Sequence, residues 1–533
     1  MSTATETSTA RSLPTATTAR RDWPAALAGI LAVASALGIS ELLAGLLPGA
    51  TSLVAAVGQV VIDLQPPGAK DIVVSLFGTN DKLALEVLIV VVALVIGAGL
   101  GLLARRHYGI AAATFVVFGV VGFLASLGDP LAEASTVAAS TALSVGVGLW
   151  VLGMLLDRSR GGSAADTSGT DAPTAEMPDW SRRSFLIRSS AVGIGAFAAG
   201  IIGRNLIEGG RTAPVGDGPP VPPASVTVPP LSPEADLSTT VGGLTPIVMP
   251  TDSFYRIDTA LLTPSVSTTG WTLRIHGLVD RETVLTWEQL IALPMIEQYV
   301  TIACVSNEVG GKLVGNAKWT GVRLRDVLDI AGVQASATQL VGRSVDGWTA
   351  GMPTAWVMDP AREPMIAFKM NDEPLPRIHG YPARLIVPGL FGYVSATKWL
   401  KELELTTLES FNGYWVPLGW AKEGPILTQS RIDTPRGGVA AGQVAIAGIA
   451  WAPDRGISKV EVSIDGVWRD ARLSAPISNA TWVQWVTDWA ADAGSHEIKV
   501  RATDGTGVVQ DEQPSPPAPD GARGWHTINV NVG

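Results

Sequence analysis

Apolar runs long enough to cross a bilayer crowd the first two-fifths of this chain and then stop, so one globular core cannot account for it. A helix needs roughly 20 apolar residues to cross the hydrocarbon layer, where the backbone must satisfy its own hydrogen bonds. Trp23–Leu47, Leu83–Ala104, Gly109–Leu127 and Leu131–Leu156 qualify, and a shorter fifth run extends from Leu186 to Gly203. Leu53–Leu64 is too short to cross and reads as an interfacial or surface segment. Across 533 residues, 47% are apolar and only 16% charged, with a mean hydropathy of +0.29 that also points to membrane spans. The net charge of −10, with no basic tract in the second half, excludes a nucleic-acid partner.

Arginines set the expected orientation. Arg20 and Arg21 precede the first run, Arg105 and Arg106 follow the second, Arg158 and Arg160 follow the fourth, and Arg182, Arg183 and Arg188 border the fifth. The alternate loops carry Lys70 and Lys82, or only Gly128-Asp-Pro. A multi-pass protein of the cell membrane is therefore expected, with a cytoplasmic N-terminus and everything after Gly203 extracytoplasmic. Glu41, Glu86 and Glu133 sit within or beside the spans and read as inter-helix or helix-end contacts, with a proton path as the alternative. Two axial histidines are usual for b-type haem, and this half has only His107, so no haem is expected. Ser181-Arg-Arg-Ser-Phe-Leu before the fifth run resembles a twin-arginine export signal, which implies export of a domain already folded. Ala196-Phe-Ala offers a cleavage site, but retention as an anchor is the expectation.

The expected organisation is multidomain: a cytoplasmic tail (1–22), an all-α four-span transmembrane bundle (23–156), a cytoplasmic linker with the twin-arginine-like motif (157–185), a fifth span (186–203), a Pro-rich external linker (204–240), an α+β domain (241–425) and an immunoglobulin-like β-sandwich (426–533). Short apolar runs broken by Gly, Pro and Asp carry the α+β reading. Alternating runs such as Ile457–Ile464 and Glu497–Ala502, with Asp-Gly turns, carry the sandwich reading. Most of the 17 Trp residues lie in these two domains and suggest a rigid core with aromatic-lined clefts.

Cys304 is the only cysteine, placed between the strand-like Tyr299-Val-Thr-Ile-Ala and the polar Val305-Ser-Asn-Glu. It cannot form an intramolecular disulfide. Packing, an intermolecular bridge, nucleophilic attack and metal ligation remain open to it. A single cysteine also leaves no pattern for iron–sulfur or covalent haem attachment.

The segment running from Phe368 through His379-Gly-Tyr-Pro-Ala-Arg384 to Gly392, and on through Ala396-Thr-Lys398-Trp-Leu, closely resembles the sulfite oxidase family of molybdopterin enzymes. Cys304-Val-Ser-Asn307 resembles the family's Cys-x-x-Asn, and Phe254-Tyr-Arg256 and Asp346-Gly-Trp follow its order. The resemblance covers 241–533 and leaves the leading spans unexplained. It implies a molybdenum–molybdopterin cofactor with Cys304 as the one protein ligand to the metal, a soft thiolate matched to a high-valent metal. It implies cofactor contacts from Phe254, Tyr255, Arg256, Asn307, Asp346, Ala396 and Thr397, with His379, Arg384 and Lys398 at the phosphate. Arg256 is expected near the metal as a second catalytic residue, the bland alternative being a salt bridge with Asp252 or Asp258. Asp346 is expected to accept from the pterin, the alternative being an ordinary turn aspartate.

The sequence departs from the family just after Cys304. Where sulfite oxidases carry arginines that bind a small dianion, this chain has Glu308 and Val309, followed by Gly310, Gly311 and Lys312. The expectation is two-electron oxygen-atom transfer on a small oxyanion, or on an S- or N-oxide in the manner of a methionine-sulfoxide reductase. An external carrier, cytochrome or quinone-linked, exchanges electrons, and the C-terminal domain offers a homodimer contact. A cofactor-free envelope binding protein is the non-enzymatic alternative.

Overall fold

The computed structural model describes residues 19–64, 81–129, 131–160, 179–212 and 218–533, in two compact units divided after Gly210. Most of the expected cytoplasmic tail, residues 161–178 of the linker between the fourth and fifth runs, and Lys70 lie outside the described residues.

The first unit is helical: α1 (Ala19–Leu46), α2 (Leu53–Leu64), α3 (Asp81–Arg106), α4 (Tyr108–Ser126), α5 (Ala134–Arg160) and α6 (Asp179–Thr212). Five stretches within α1 and α3–α6 are long and apolar enough to span a membrane, whereas α2 is a short apolar helix. Helix α1 packs along both α3 and α5. Glycines permit the closest approach, since a Cβ on Gly101 would collide with the Ala25 carbonyl. The glutamates acquire partners that the sequence did not disclose. Ser52 donates to Glu41, and Arg204 of α6 pairs with Glu86 of α3. Helix α6 also outruns the apolar stretch that announced it and continues through Arg204 and Glu208.

The second unit begins differently from expectation. Residues 218–240 are not a free tether. Ser225 and Val226 donate to Met295, Glu297 donates back to Val226, and Trp287 donates to Pro219. The prolines hold this stretch extended, and Val221, Ala224 and Leu231 lie against the neighbouring core.

The elements that follow are β1 (Thr272–Gly277), β2 (Thr283–Thr286), α7 (Trp287–Ile291), β3 (Met295–Ala303), β4 (Val314–Arg323), α8 (Leu324–Ala331), β5 (Gln339–Ser344), β6 (Thr349–Pro353), α9 (Thr354–Val357), β7 (Met365–Met370), β8 (Glu373–Pro374), β9 (Arg384–Ile386), α10 (Gly392–Ser395) and β10 (Leu400–Thr406). One sheet runs β2-β1-β10-β5-β6, parallel only between β1 and β10. The other runs β3-β4-β7-β8, with β9 also on β7. Thr286 caps α7 through a reciprocal capping box with Gln289.

The remaining strands are β11 (Gln429–Thr434), β12 (Gly442–Trp451), β13 (Ile457–Ile464), β14 (Val467–Asp470), β15 (Arg472–Leu473), β16 (Val483–Ala491), β17 (Gly494–Asp504) and β18 (His526–Val532). They form antiparallel sheets in the orders β11-β12-β16-β15 and β14-β13-β17-β18. Ile446 and Trp485 from one and Val462 and Val500 from the other meet in a shared core. Trp485 is fully buried there without any cysteine pair, whereas Trp482 is buried in the core of the preceding domain.

Candidate active site

Strands β3 and β4 form a hairpin in which Ala303 pairs with Val314, so Cys304 opens the connecting loop. The end of β3 is buried on both faces. Val300 and Ile302 pack with Phe254, while Ala303 and Val305 join the larger core on the other side. Cys304 is 8% exposed, and its own N–H donates to the Leu313 carbonyl at 2.9 Å. Asn307 closes the loop: its side-chain oxygen accepts from Leu313 N at 2.7 Å. That bond fixes the cysteine's backbone, a role the sequence did not suggest for Asn307.

Phe254, Tyr255 and Arg256 lie in the irregular segment before β1. Phe254 stacks on Tyr255 at 5.3 Å and meets Trp319 and His379 edge-on. Tyr255 is the link to the cysteine. Burial pushes its phenol well up, the neighbouring Cys304 pushes it further, and Arg384 opposes both.

His379 ends a 3-10 turn (Arg377–His379), Arg384 opens β9, and Lys398 lies between α10 and β10. Gly380 brings them together with a φ of +112°. A Cβ there would sit 3.0 Å from Lys398 Cα and 3.1 Å from Arg384 Cβ. Arg384 donates to the His379 carbonyl at 3.0 Å, and Lys398 donates to the Ile378 carbonyl at 3.0 Å. His379 is 1% exposed and its Nε2 lies 3.1 Å from the Thr251 carbonyl, which assigns the proton to that nitrogen and leaves Nδ1 as an acceptor. Burial, then Lys398 and Arg384, push its pKa down to about 3, so the ring is neutral.

Both cations are themselves strained by their setting. Burial lowers Arg384 to about 10 and Lys398 to about 8, with Asp258 opposing the fall at Lys398. Asp258 accepts from Lys398 at 3.1 Å and from Arg256 Nε at 2.9 Å. The salt bridge weighed as the alternative for Arg256 therefore forms, with Asp258, while Arg256 still bears electrostatically on His379 and Lys398. Arg384 has no carboxylate within salt-bridge range among the described residues. The face of Trp319 lies 5.0 Å away, and Arg384 Nε is buried without a hydrogen-bond partner.

Asp346 belongs to the turn between β5 and β6, where its carboxylate accepts from Trp348 N at 3.1 Å. Burial raises its pKa, and Asp258 and Lys398 both act on it, which puts this turn beside the cation cluster. Thr397 is fully buried, its hydroxyl has no partner, and its carbonyl accepts from Leu385 N. Ala396 closes α10, and a Cβ on Gly392 of that turn would lie 3.7 Å from the Ala303 carbonyl oxygen. Trp319 and the Thr251 carbonyl were missed at the sequence level. No motif marks either one, although a buried cation does call for a nearby π face.

Buried Arg384 and Lys398, with half-buried Arg256 and one carboxylate between them, leave a surplus of positive charge. An unpartnered guanidinium nitrogen and an unpartnered hydroxyl suit a phosphate, and a thiol at the nearby strand end suits a soft metal. The donor set fits a metal–dithiolene cofactor with a phosphate tail.

Comparison with known proteins agrees with that donor set. The domain described as "Oxidoreductase molybdopterin binding domain" matches residues 260–415, which include Cys304, Asp346, His379, Arg384 and Lys398. The mitochondrial sulfite oxidase of Homo sapiens is 30% identical over 328 residues, covering 50% of this chain and 59% of its own length. The chain thus spans about six-tenths of the length of that relative. The uncharacterized oxidoreductase YuiH of Bacillus subtilis (strain 168) is 34% identical over 156 residues, 29% of this chain and 75% of that protein. Among solved structures, the sulfane dehydrogenase SoxCD from Paracoccus pantotrophus is similar at 25% identity and a TM-score of 0.47, covering 54% of this chain and 81% of that one.

Proposed function

Given that the chain belongs to the sulfite oxidase family of molybdopterin-dependent oxidoreductases, we propose that it catalyses two-electron oxygen-atom transfer outside the cytoplasm while anchored in the membrane. The observation that carries this reading is the buried cation surplus of Arg384 and Lys398 beside a neutral His379, tied through Tyr255 to Cys304. When bound, the cofactor supplies a molybdenum centre that accepts or gives an electron pair with an oxygen atom. The chain's residues do the rest. Cys304 supplies the thiolate, and Asn307 fixes the loop that aims it. Arg384 and Lys398 hold the phosphate, His379 packs beside them with its one N–H committed to the Thr251 carbonyl, and Phe254 and Trp319 exclude water. Asp346 accepts from the pterin, and Ala396 and Thr397 line its approach. Arg256, turned to Asp258, sets the charge beside the metal rather than gripping substrate directly.

A small oxyanion is the first substrate class, since relatives that the chain matches are sulfite oxidases. Reduction of an S-oxide is the second reading, and one observation favours it. The rim next to Cys304 exposes Glu308 and Lys312, not a pair of arginines, so it discourages a dianion more than a neutral substrate. The remaining proposals follow from the sequence. The apolar helices fix the chain in the cell membrane with its N-terminus inside, and the twin-arginine-like motif opening α6 directs export. The C-terminal sheets form an immunoglobulin-like sandwich that supports a homodimer, and a cytochrome or quinone-linked carrier exchanges the electrons.

The test combines metal and pterin analysis of the purified chain with steady-state assays on sulfite and on methionine sulfoxide. One molybdenum per chain with turnover of either substrate supports oxygen-atom transfer, and the active substrate sets the direction. Protein free of molybdenum after expression in a cofactor-competent host would overturn the reading.

A further inference from the structure

The loop from Cys304 to Leu313 is held from outside its own domain. Arg431 of β11 spends each edge of its guanidinium on a different element. Nε donates to Asp433 at 2.7 Å, Nη2 to Thr245 at 2.9 Å, and Nη1 to the Gly311 carbonyl at 2.7 Å. Arg431 is 5% exposed and Asp433 fully buried, so this cation cannot drift. His526, at the start of β18, accepts through Nδ1 from Ile432 N at 2.9 Å, which sets its ring plane. That ring lies against Gly310, whose φ of +75° and lack of a Cβ allow the contact. Gly524 lies beside Val309, where an added Cβ would be 3.7 Å from Cγ2.

Inside the loop the restraints concentrate at its ends. Cys304 and Asn307 bond Leu313, and Gly311 N bonds Glu308 O at 2.8 Å. Glu308 and Lys312 are exposed at the rim, and without an outside brace this segment would sample many conformations. A rim ordered before substrate arrives spares the cost of ordering it on binding.

We propose that Arg431 and His526 of the C-terminal sheets are positioning residues for substrate entry, holding the Glu308–Lys312 rim in its binding shape beside Cys304. This rests on the reading of Cys304 as the metal ligand. The sheets then serve the site directly, beyond any part in oligomer formation.

The experiment uses the full-length, cofactor-loaded chain in detergent and compares Arg431→Gln with Arg436→Gln. Arg436 is a control: it lies 3.7 Å from the same Asp433, is largely exposed, and its Nε donates to the Asp433 carbonyl rather than to the loop. Loss of one charge-assisted bond should speed hydrogen exchange of amides 305–313 about tenfold in Arg431→Gln and leave it unchanged in Arg436→Gln. KM for whichever of sulfite or methionine sulfoxide is turned over should rise about tenfold, with a smaller change in kcat. Unaltered exchange, or a fall in kcat at constant KM, overturns the proposal. If Arg431→Gln does not fold, His526→Ala removes the ring that lies against Gly310 while leaving the loop's own sequence intact, and must give the same split. A wild-type chain without molybdenum would defeat the proposed function, yet the exchange comparison would still decide the brace.

Discussion

Arg384 donates to the main-chain carbonyl of His379 at 3.0 Å, so a buried guanidinium is tied to the very residue whose ring burial, then Lys398 and Arg384 itself, keep neutral. The bond orients the cation without neutralising it. A buried charge so held is costly to the cofactor-free protein and useful only when an anion arrives.

Arg384→Met should therefore separate stability from function. The cofactor-free variant should melt at the same temperature as the wild type or higher, because it no longer buries an unpaired charge. Molybdenum content after purification should fall at least about tenfold, the loss of one charge-assisted phosphate contact. Calorimetry and metal analysis on the same preparations check both halves.

Lys398 gives a pH dependence with a definite sign. Burial lowers it from 10.5 to about 8, so in the cofactor-free protein it loses its charge as pH rises through about 8. Cofactor uptake should weaken above that point, and Lys398→Arg should shift the fall upward. Stability runs the opposite way between about 8 and 10.5, because there the unfolded chain binds the extra proton. Uptake titrations and denaturant melts across that range read the two trends separately.

His379 should stay neutral from pH 8 to 5 in the cofactor-free chain, since its pKa lies at about 3. Unfolded histidine protonates near 6.5, so this residue withdraws stability as pH falls below 6.5, by roughly 1.4 kcal/mol per unit. Ring-labelled NMR should show no titration of its signal in that range. A midpoint near 6.5 would mean the cation cluster is not formed.

Cys304→Ser should abolish turnover and remove one sulfur from the molybdenum coordination shell seen by X-ray absorption. The backbone bond from residue 304 to Leu313 survives the change, so the hairpin should fold. Undiminished activity would refute metal ligation.

The grouping of the three polar side chains was legible because their motif is continuous. His379, Arg384 and Lys398 sit in one stretch with Gly380 between them, and the turn that gathers them is local. The salt bridge of Arg256 with Asp258, two residues on, was legible as an alternative; that Lys398, 140 residues away, reaches the same carboxylate was not. Asn307 was placed in the site for the family's reason, whereas its side chain closes the loop onto Leu313. The Pro-rich stretch read as a stiff linker because its prolines disfavour a long regular helix. Composition could not reveal the edge backbone of β3, at Met295 and Glu297, that stands ready to pair with it.

Taken alone, the sequence determined which segments are apolar enough for a bilayer, where the chain turns to strands, and that its second half resembles a molybdopterin-binding domain. Those properties are local, since hydropathy, periodicity and motif order are written within short windows. Only the tertiary structure decided which charges share a partner, which lie buried without one, and that Arg431 and His526 reach the loop beside Cys304. Such pairings join residues far apart in the chain, and their energies depend on exclusion of water, which exists only once the chain has packed.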